Sequence, residues 1–145
     1  MEIYTIGYTQ KGAAQFFTRL KDAGIKQLWD IRLNNTSQLA GFTKKEDLPF
    51  FLWEICHASY RHLPFLAPTQ DILDDYKKKK ASWAEYECRF RQLLAERRVV
   101  DLVQKEQLEQ PTVLLCSEAT AQHCHRRLVA EHLASIWGDL KVIHL

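Results

Sequence analysis

Glycine and proline are scarce in this chain, with five and four residues among 145. That scarcity weighs against long loops and against an all-β fold with many tight turns. No apolar run approaches the roughly 18 residues of a membrane span, so no membrane partner is expected. The opening Met1-Glu2-Ile3-Tyr4-Thr5-Ile6 has neither a basic stretch nor a small-residue cleavage site. A secretory signal is therefore not expected, and a cytoplasmic location is. Cysteine is also sparse: Cys56, Cys88, Cys116 and Cys124 stand at irregular spacings. Without a secretory context, free thiols are the expectation rather than a disulfide framework. An excess of one charge is missing too, since 20 basic and 18 acidic residues leave only +2. Net charge alone thus points to neither nucleic acid nor membrane.

What the chain does have is an ordinary globular balance, 46% apolar and 26% charged, which predicts one domain over 1–145 with a substantial core. Short apolar runs alternate with helical patterns. Strands are expected at Glu2 to Gly7, Gln27 to Arg32, Ser59 to Leu63, Thr112 to Cys116 and Leu140 to His144. Thr112-Val113-Leu114-Leu115-Cys116 is nearly all apolar, as a strand buried on both faces should be. Between the strands, Ala13, Phe16, Phe17 and Leu20 recur at helical spacing within Gln10 to Ala23. Thr43 with Glu46, and Ser82 with Glu85, fit the capping box and predict helix starts near Lys44 and Trp83. Further helices are expected after Thr69, over Asp101 to Leu108 in a short piece, and over Ala121 to Trp137. Strands alternating with helices predict an α/β domain, three-layered and Rossmann-like, with a mostly parallel five-stranded sheet.

Ligands of open parallel sheets lie beyond the carboxyl ends of the strands. Tyr8 and Thr9 follow the first strand, Asp30 and Arg32 end the second, His62 ends the third, and Cys116 and Glu118 close the fourth. Cys124-His125-Arg126-Arg127 then opens the last helix. On a helix begun near Ala121, His125 falls at the centre of the face set by Leu128, Val129, Leu133 and Ile136. Early arginines oppose the helix dipole, so a bound anion or Glu118 should compensate them. The alternative is a buried His125 hydrogen-bonded to the loop and an Arg127 paired with Glu131. Cys116 is either a thiolate nucleophile lowered by the helix end and the arginines, or a plain buried strand cysteine.

No metal is expected. The cysteines and His125 match no paired Cys-x-x-Cys pattern, and adjacent Cys124 and His125 would diverge by about 100° on a helix. Cys116, Cys124 and His125 are soft or borderline ligands, and His62 could add a fourth. The Cys116 stretch also lacks the phosphatase-loop spacing, and Gly7 to Gly12 is no phosphate-binding P-loop, because Ala13 and Ala14 follow it. Lys77 to Lys80 reads as a solvated helix end rather than a phosphate patch, with no aromatic residues interleaved.

Thr5-Ile6-Gly7-Tyr8-Thr9, Asp30-Ile31-Arg32 with Ser37 and Phe42, Tyr60-Arg61-His62-Leu63, and Cys116-Ser117-Glu118 with Cys124-His125-Arg126-Arg127 occur in this order. Together they resemble the domain-of-unknown-function 488 family over nearly the whole chain. The family pattern carries a proline and an arginine where this chain has Asn34 to Gln38. The resemblance implies an α/β Rossmann-like fold and supplies no reaction.

Two functions follow as expectations. The first is an enzyme with an anionic or nucleotide-like small substrate. In it Cys116, Glu118 and His125 are catalytic, and Tyr8, Asp30, Arg32, His62 and Arg126 bind substrate. The second is a nucleic-acid-binding module using the same arginines and the lysine run. In either, Arg32 and Arg126 are expected to matter more for binding than for folding. No cofactor or oligomeric state follows from the residues.

Overall fold

The computed structural model describes residues 1–35, 41–118 and 120–145; Ser37, one of the residues carrying the family resemblance, lies outside them. Five strands form one all-parallel sheet: β1 (Glu2–Gly7), β2 (Gln27–Asp30), β3 (Ser59–His62), β4 (Thr112–Cys116) and β5 (Lys141–His144). Their order is β3-β2-β4-β1-β5, so β4 inserts between β1 and β2. Every residue of β4 is buried, as a central strand covered on both faces requires. The register sets Gly7 opposite Cys116 and Asp30 opposite Leu115, which aligns the carboxyl ends of the three inner strands.

Alternation along the strands divides the core into two layers. Leu28, Val113 and Leu115 pack with Phe16, Phe17 and Leu20 of α1 (Ala13–Asp22) and Leu48 of α2 (Leu48–Phe51). On the other face, Trp29 and Leu114 pack with α3 (Gln70–Lys77), α4 (Trp83–Arg97) and α5 (His125–Trp137). The expected α/β three-layer architecture is present, with a sheet that is parallel throughout.

Several local expectations shift. α1 begins at Ala13 rather than Gln10, and β2 ends at Asp30. No α-helix starts at Lys44. A 3-10 turn at Gly41–Thr43 comes first, and α2 starts after Asp47 and runs into a π-helical turn at Leu52–Cys56. Pro49 fits the first helical turn, where its missing N–H is no loss. Ser82 does cap α4, accepting from the Glu85 N–H at 3.2 Å. The piece expected at Asp101 to Leu108 is two 3-10 turns, Val99–Asp101 and Lys105–Glu109. Ile136, expected on the buried face of α5, is exposed.

The consequential shift is at the start of α5. The helix opens at His125, and Cys124 is its N-cap, in an extended conformation with φ −136° and ψ 141°. The stretch before it turns instead of winding, with the Cys124 N–H bonded to the Ala121 carbonyl.

Candidate functional site

A cleft of about 1020 Å³ opens over the carboxyl ends of β1, β2 and β4. Of the residues singled out in the sequence, Tyr8, Arg32, Cys116, Glu118 and His125 line it. Asp30, His62 and Arg126 do not, and each has a different place.

The floor is sulfur and imidazole. Cys116 ends β4 and Cys124 caps α5, both 2% exposed, and His125 takes the first helical position. His125 Nδ1 lies 3.3 Å from Cys116 Sγ, and His125 Nε2 lies 2.7 Å from the Ile31 carbonyl oxygen. A carbonyl only accepts, so Nε2 carries a hydrogen and Nδ1 is turned to the sulfur. The divergence expected of Cys124 and His125 does not occur, because that argument needs both on one helix. With Cys124 outside it, the two thiol sulfurs and an imidazole nitrogen gather within 4.8 Å of one another.

Burial pushes the Cys116 thiol up, yet the hydrogen bond from Cys124 and the charge of His125 bring it well below its ordinary value. Burial and then the Cys116 sulfur drive Cys124 well above its own. Burial lowers His125, but Cys116 more than offsets this and leaves it raised. The two sulfurs are therefore pushed in opposite directions, Cys116 down and Cys124 up.

One side of the cleft is a closed ion pair. Arg32 Nε donates to Asp30 Oδ1 at 2.8 Å, Arg32 Nη2 donates to Asp30 Oδ2 at 2.8 Å, and Nη2 also reaches the Thr43 carbonyl. The Tyr60 hydroxyl donates to Asp30 at 2.6 Å. Burial opposes the Arg32 charge, but Asp30 holds its pKa above the ordinary value. Asp30 is fully buried under this pair, so it positions Arg32 and presents no free oxygen to the cleft. His62 is spent on the Arg32 backbone carbonyl at 2.8 Å.

Arg126 is the exception to pairing. It is 1% exposed, and neither Nε nor Nη1 has a hydrogen-bond partner among the described residues. It lies behind Gly7, where an added Cβ would stand 2.6 Å from Arg126 Nη1 and 1.6 Å from the Glu118 carbonyl oxygen. Only glycine permits that approach. The Thr9 N–H bonds to the Ser117 carbonyl at 3.0 Å and joins the two loops above it. Both arginines are therefore buried.

The opposite wall was missed in the sequence. Tyr76 at the end of α3 and Trp83 and Tyr86 at the start of α4 form an aromatic group, and Lys77, Lys79 and Lys80 line the cleft beside it. Trp83 stacks on Tyr86 at 4.7 Å and 19°, and His123 lies 5.0 Å from Trp83 on the cleft side. The available signal was flanking, not interleaving: Tyr76 precedes the lysine run and Trp83-x-x-Tyr86 follows it on one face of a helical turn. Lys79 adopts φ 58°, a left-handed conformation that favours glycine, at the turn carrying the run off α3. Glu118, exposed on the rim, has no ion pair among the described residues.

The fold and cleft define an α/β protein with a candidate small-ligand site at the carboxyl edge of a parallel sheet. Residues 12–133 match the family model described as Domain of unknown function DUF488, and the chain belongs to that family. No curated protein and no solved structure matches it. Among the described residues no helix is long and apolar enough to cross a membrane.

Proposed function

We propose that the protein is an enzyme whose cleft takes an anionic, nucleotide-like small molecule. The observation that carries this is the pairing of an aromatic wall, Tyr76, Trp83 and Tyr86, with three lysines lining the same cleft. A planar base or similar ring gains from stacking on indole and phenol faces, and phosphate or carboxylate oxygens gain from ammonium groups beside them. Arg32, neutralised by Asp30, holds Tyr8 through its guanidinium, 5.4 Å from the ring centroid, and shapes the wall. The reacting end lies against Cys116 and His125, with Glu118 free on the rim to take or give a proton.

Calorimetric titration with nucleoside monophosphates and diphosphates, the parent nucleosides and inorganic phosphate tests the reading. Phosphate-bearing nucleotides should bind best. Trp83→Ala should cost roughly 1–3 kcal/mol of that binding, the worth of one stacked base, and Trp83→Phe should retain most of it. Mass spectrometry of the bound nucleotide after incubation should show conversion. No heat from any of these ligands would overturn the proposal. So would binding confined to single-stranded oligonucleotides with a steep salt dependence, the behaviour of a nucleic-acid module.

A further inference from the structure

We infer that Cys116, Cys124 and His125 form a three-ligand site for a zinc-type divalent ion whose fourth position opens into the cleft. The inference rests on donor geometry and holds whatever fills the cleft. Their donor atoms lie within 4.8 Å of one another, and the Cys116 Sγ to His125 Nδ1 separation of 3.3 Å is a spacing that neighbouring ligands of one tetrahedral ion adopt. Two thiolates and an imidazole are the donors that zinc prefers over magnesium or calcium, which seek oxygen.

The surroundings fit the same role. A metal-bound histidine donates its other ring N–H to a carbonyl or carboxylate, which fixes the tautomer. Here the Ile31 carbonyl receives the His125 Nε2 hydrogen at 2.7 Å and leaves Nδ1 facing the sulfurs. Cys124, extended at the N-cap of α5, holds its sulfur within 4.8 Å of the other two donors. Structural zinc sites are closed by four protein ligands, whereas reactive ones keep three and an open position. His62, which the sequence suggested as a fourth ligand, has its Nε2 on the Arg32 carbonyl. All three donors line the cleft, so the remaining coordination position faces its contents. Water held there would be available at the point where the cleft meets its floor.

The test is Co²⁺ titration of the reduced, chelator-stripped full chain. One equivalent should bind, with a sulfur-to-cobalt charge-transfer band and visible bands of tetrahedral strength, and Zn²⁺ should displace it. Cys116→Ser and Cys124→Ser should each weaken uptake by more than the roughly 100-fold that changes around a ligand cost. Cys88→Ser, exposed on α4, should leave it unchanged. Because a serine variant can fail by misfolding, iodoacetamide mapping of the unmodified chain provides a second reading. Zinc should protect Cys116 and Cys124 and leave Cys88 reactive. Added imidazole should shift the visible bands, and bands that ignore it would show a closed site and overturn the open position. A reduced chain that takes up no Co²⁺, or one that closes a Cys116–Cys124 disulfide under mild oxidation and binds Co²⁺ no better than Cys116→Ser, overturns the site. None of these readouts uses a nucleotide, so their failure leaves the proposed ligand class standing, and failure of the nucleotide titrations leaves the metal site standing.

Discussion

Arg126→Met should make the protein more stable. The Arg126 guanidinium is 1% exposed, and its Nε and Nη1 atoms find no acceptor among the described residues. Each buried donor left unmade costs about 1–3 kcal/mol, and charge adds to the penalty. Methionine keeps an unbranched stem of similar reach and removes both donors and the charge. Replacing buried ionic groups by apolar ones of like volume stabilises by about 1–4 kcal/mol where it stabilises at all. The expected gain is of that size, because neither Nε nor Nη1 leaves an acceptor behind among the described residues. For a chain of this length each kcal/mol is worth roughly 2–4 °C in Tm. Urea unfolding is the cleaner assay, since an unchanged slope with a raised midpoint isolates stability. Arg126→Ala is the control: it removes the same charge but leaves a packing hole of the kind that costs about 2–5 kcal/mol. A loss of more than about 1 kcal/mol for the methionine variant would refute the reasoning and show that the charge is compensated where it lies. A confirmed gain would mark Arg126 as kept for the neighbouring cleft at the expense of the fold, a pattern common at functional sites.

Lys79→Gly relieves a side chain held at φ 58°. It should stabilise by up to about 1 kcal/mol in urea melts while weakening nucleotide binding by calorimetry. Gly7→Ala forces a Cβ to within 1.6 Å of the Glu118 carbonyl oxygen and should cost at least the roughly 1–3 kcal/mol of overpacking. Because Gly7 pairs with Cys116, Co²⁺ uptake should fall with it; an unperturbed melt would show that the loop yields freely. Asp30→Ala strands the buried Arg32 charge and should cost about 3–5 kcal/mol, and a loss under about 1 kcal/mol would show that the pair is not structural. Burial and Asp30 raise the Tyr60 phenol above its ordinary value. Its contribution is therefore complete below the unfolded pKa of about 10 and lost as pH climbs toward the higher folded value. Urea midpoints taken from about pH 8 to about pH 11 should fall, and Tyr60→Phe should flatten that slope whatever it costs at neutral pH.

The strands were legible because their signal is local. Thr112-Val113-Leu114-Leu115-Cys116 is apolar at every position but its first, and only a central strand between two helical layers makes use of that. Tyr8, Arg32, Cys116, Glu118 and His125 were assembled from one topological rule, and they meet because β4 inserts between β1 and β2. What a charged side chain does with its charge was not legible. Arg32 and Arg126 look alike in sequence, yet one is closed by Asp30 from two positions away and the other keeps Nε and Nη1 without a hydrogen-bond partner among the described residues. The aromatic wall escaped for a different reason. Tyr76 and Trp83 belong to separate helices, and the turn that joins them through Lys79 depends on a left-handed residue that no propensity would assign to lysine.

The start of α5 shows how a boundary of a few residues decides chemistry. Helix begun at Ala121 would point Cys124 and His125 about 100° apart and scatter the sulfurs. Begun at His125, it leaves Cys124 extended at φ −136°, and the backbone turns that sulfur toward the end of β4. The same shift puts the His125 ring between the Ile31 carbonyl and Cys116. Helix ends are the least certain part of any periodicity argument, because hydrophobic spacing reports the buried face and not where winding starts. Here the hydrophobic face of α5 does begin at the right place: Leu128, Val129 and Leu133 are buried. The polar residues ahead of it, which carry no such period, are the ones that the cleft uses. A residue that must meet a partner across the sheet gains from lying just outside a helix, where φ and ψ are free to aim it. Cys124 occupies that position, and the geometry of the whole cluster depends on it.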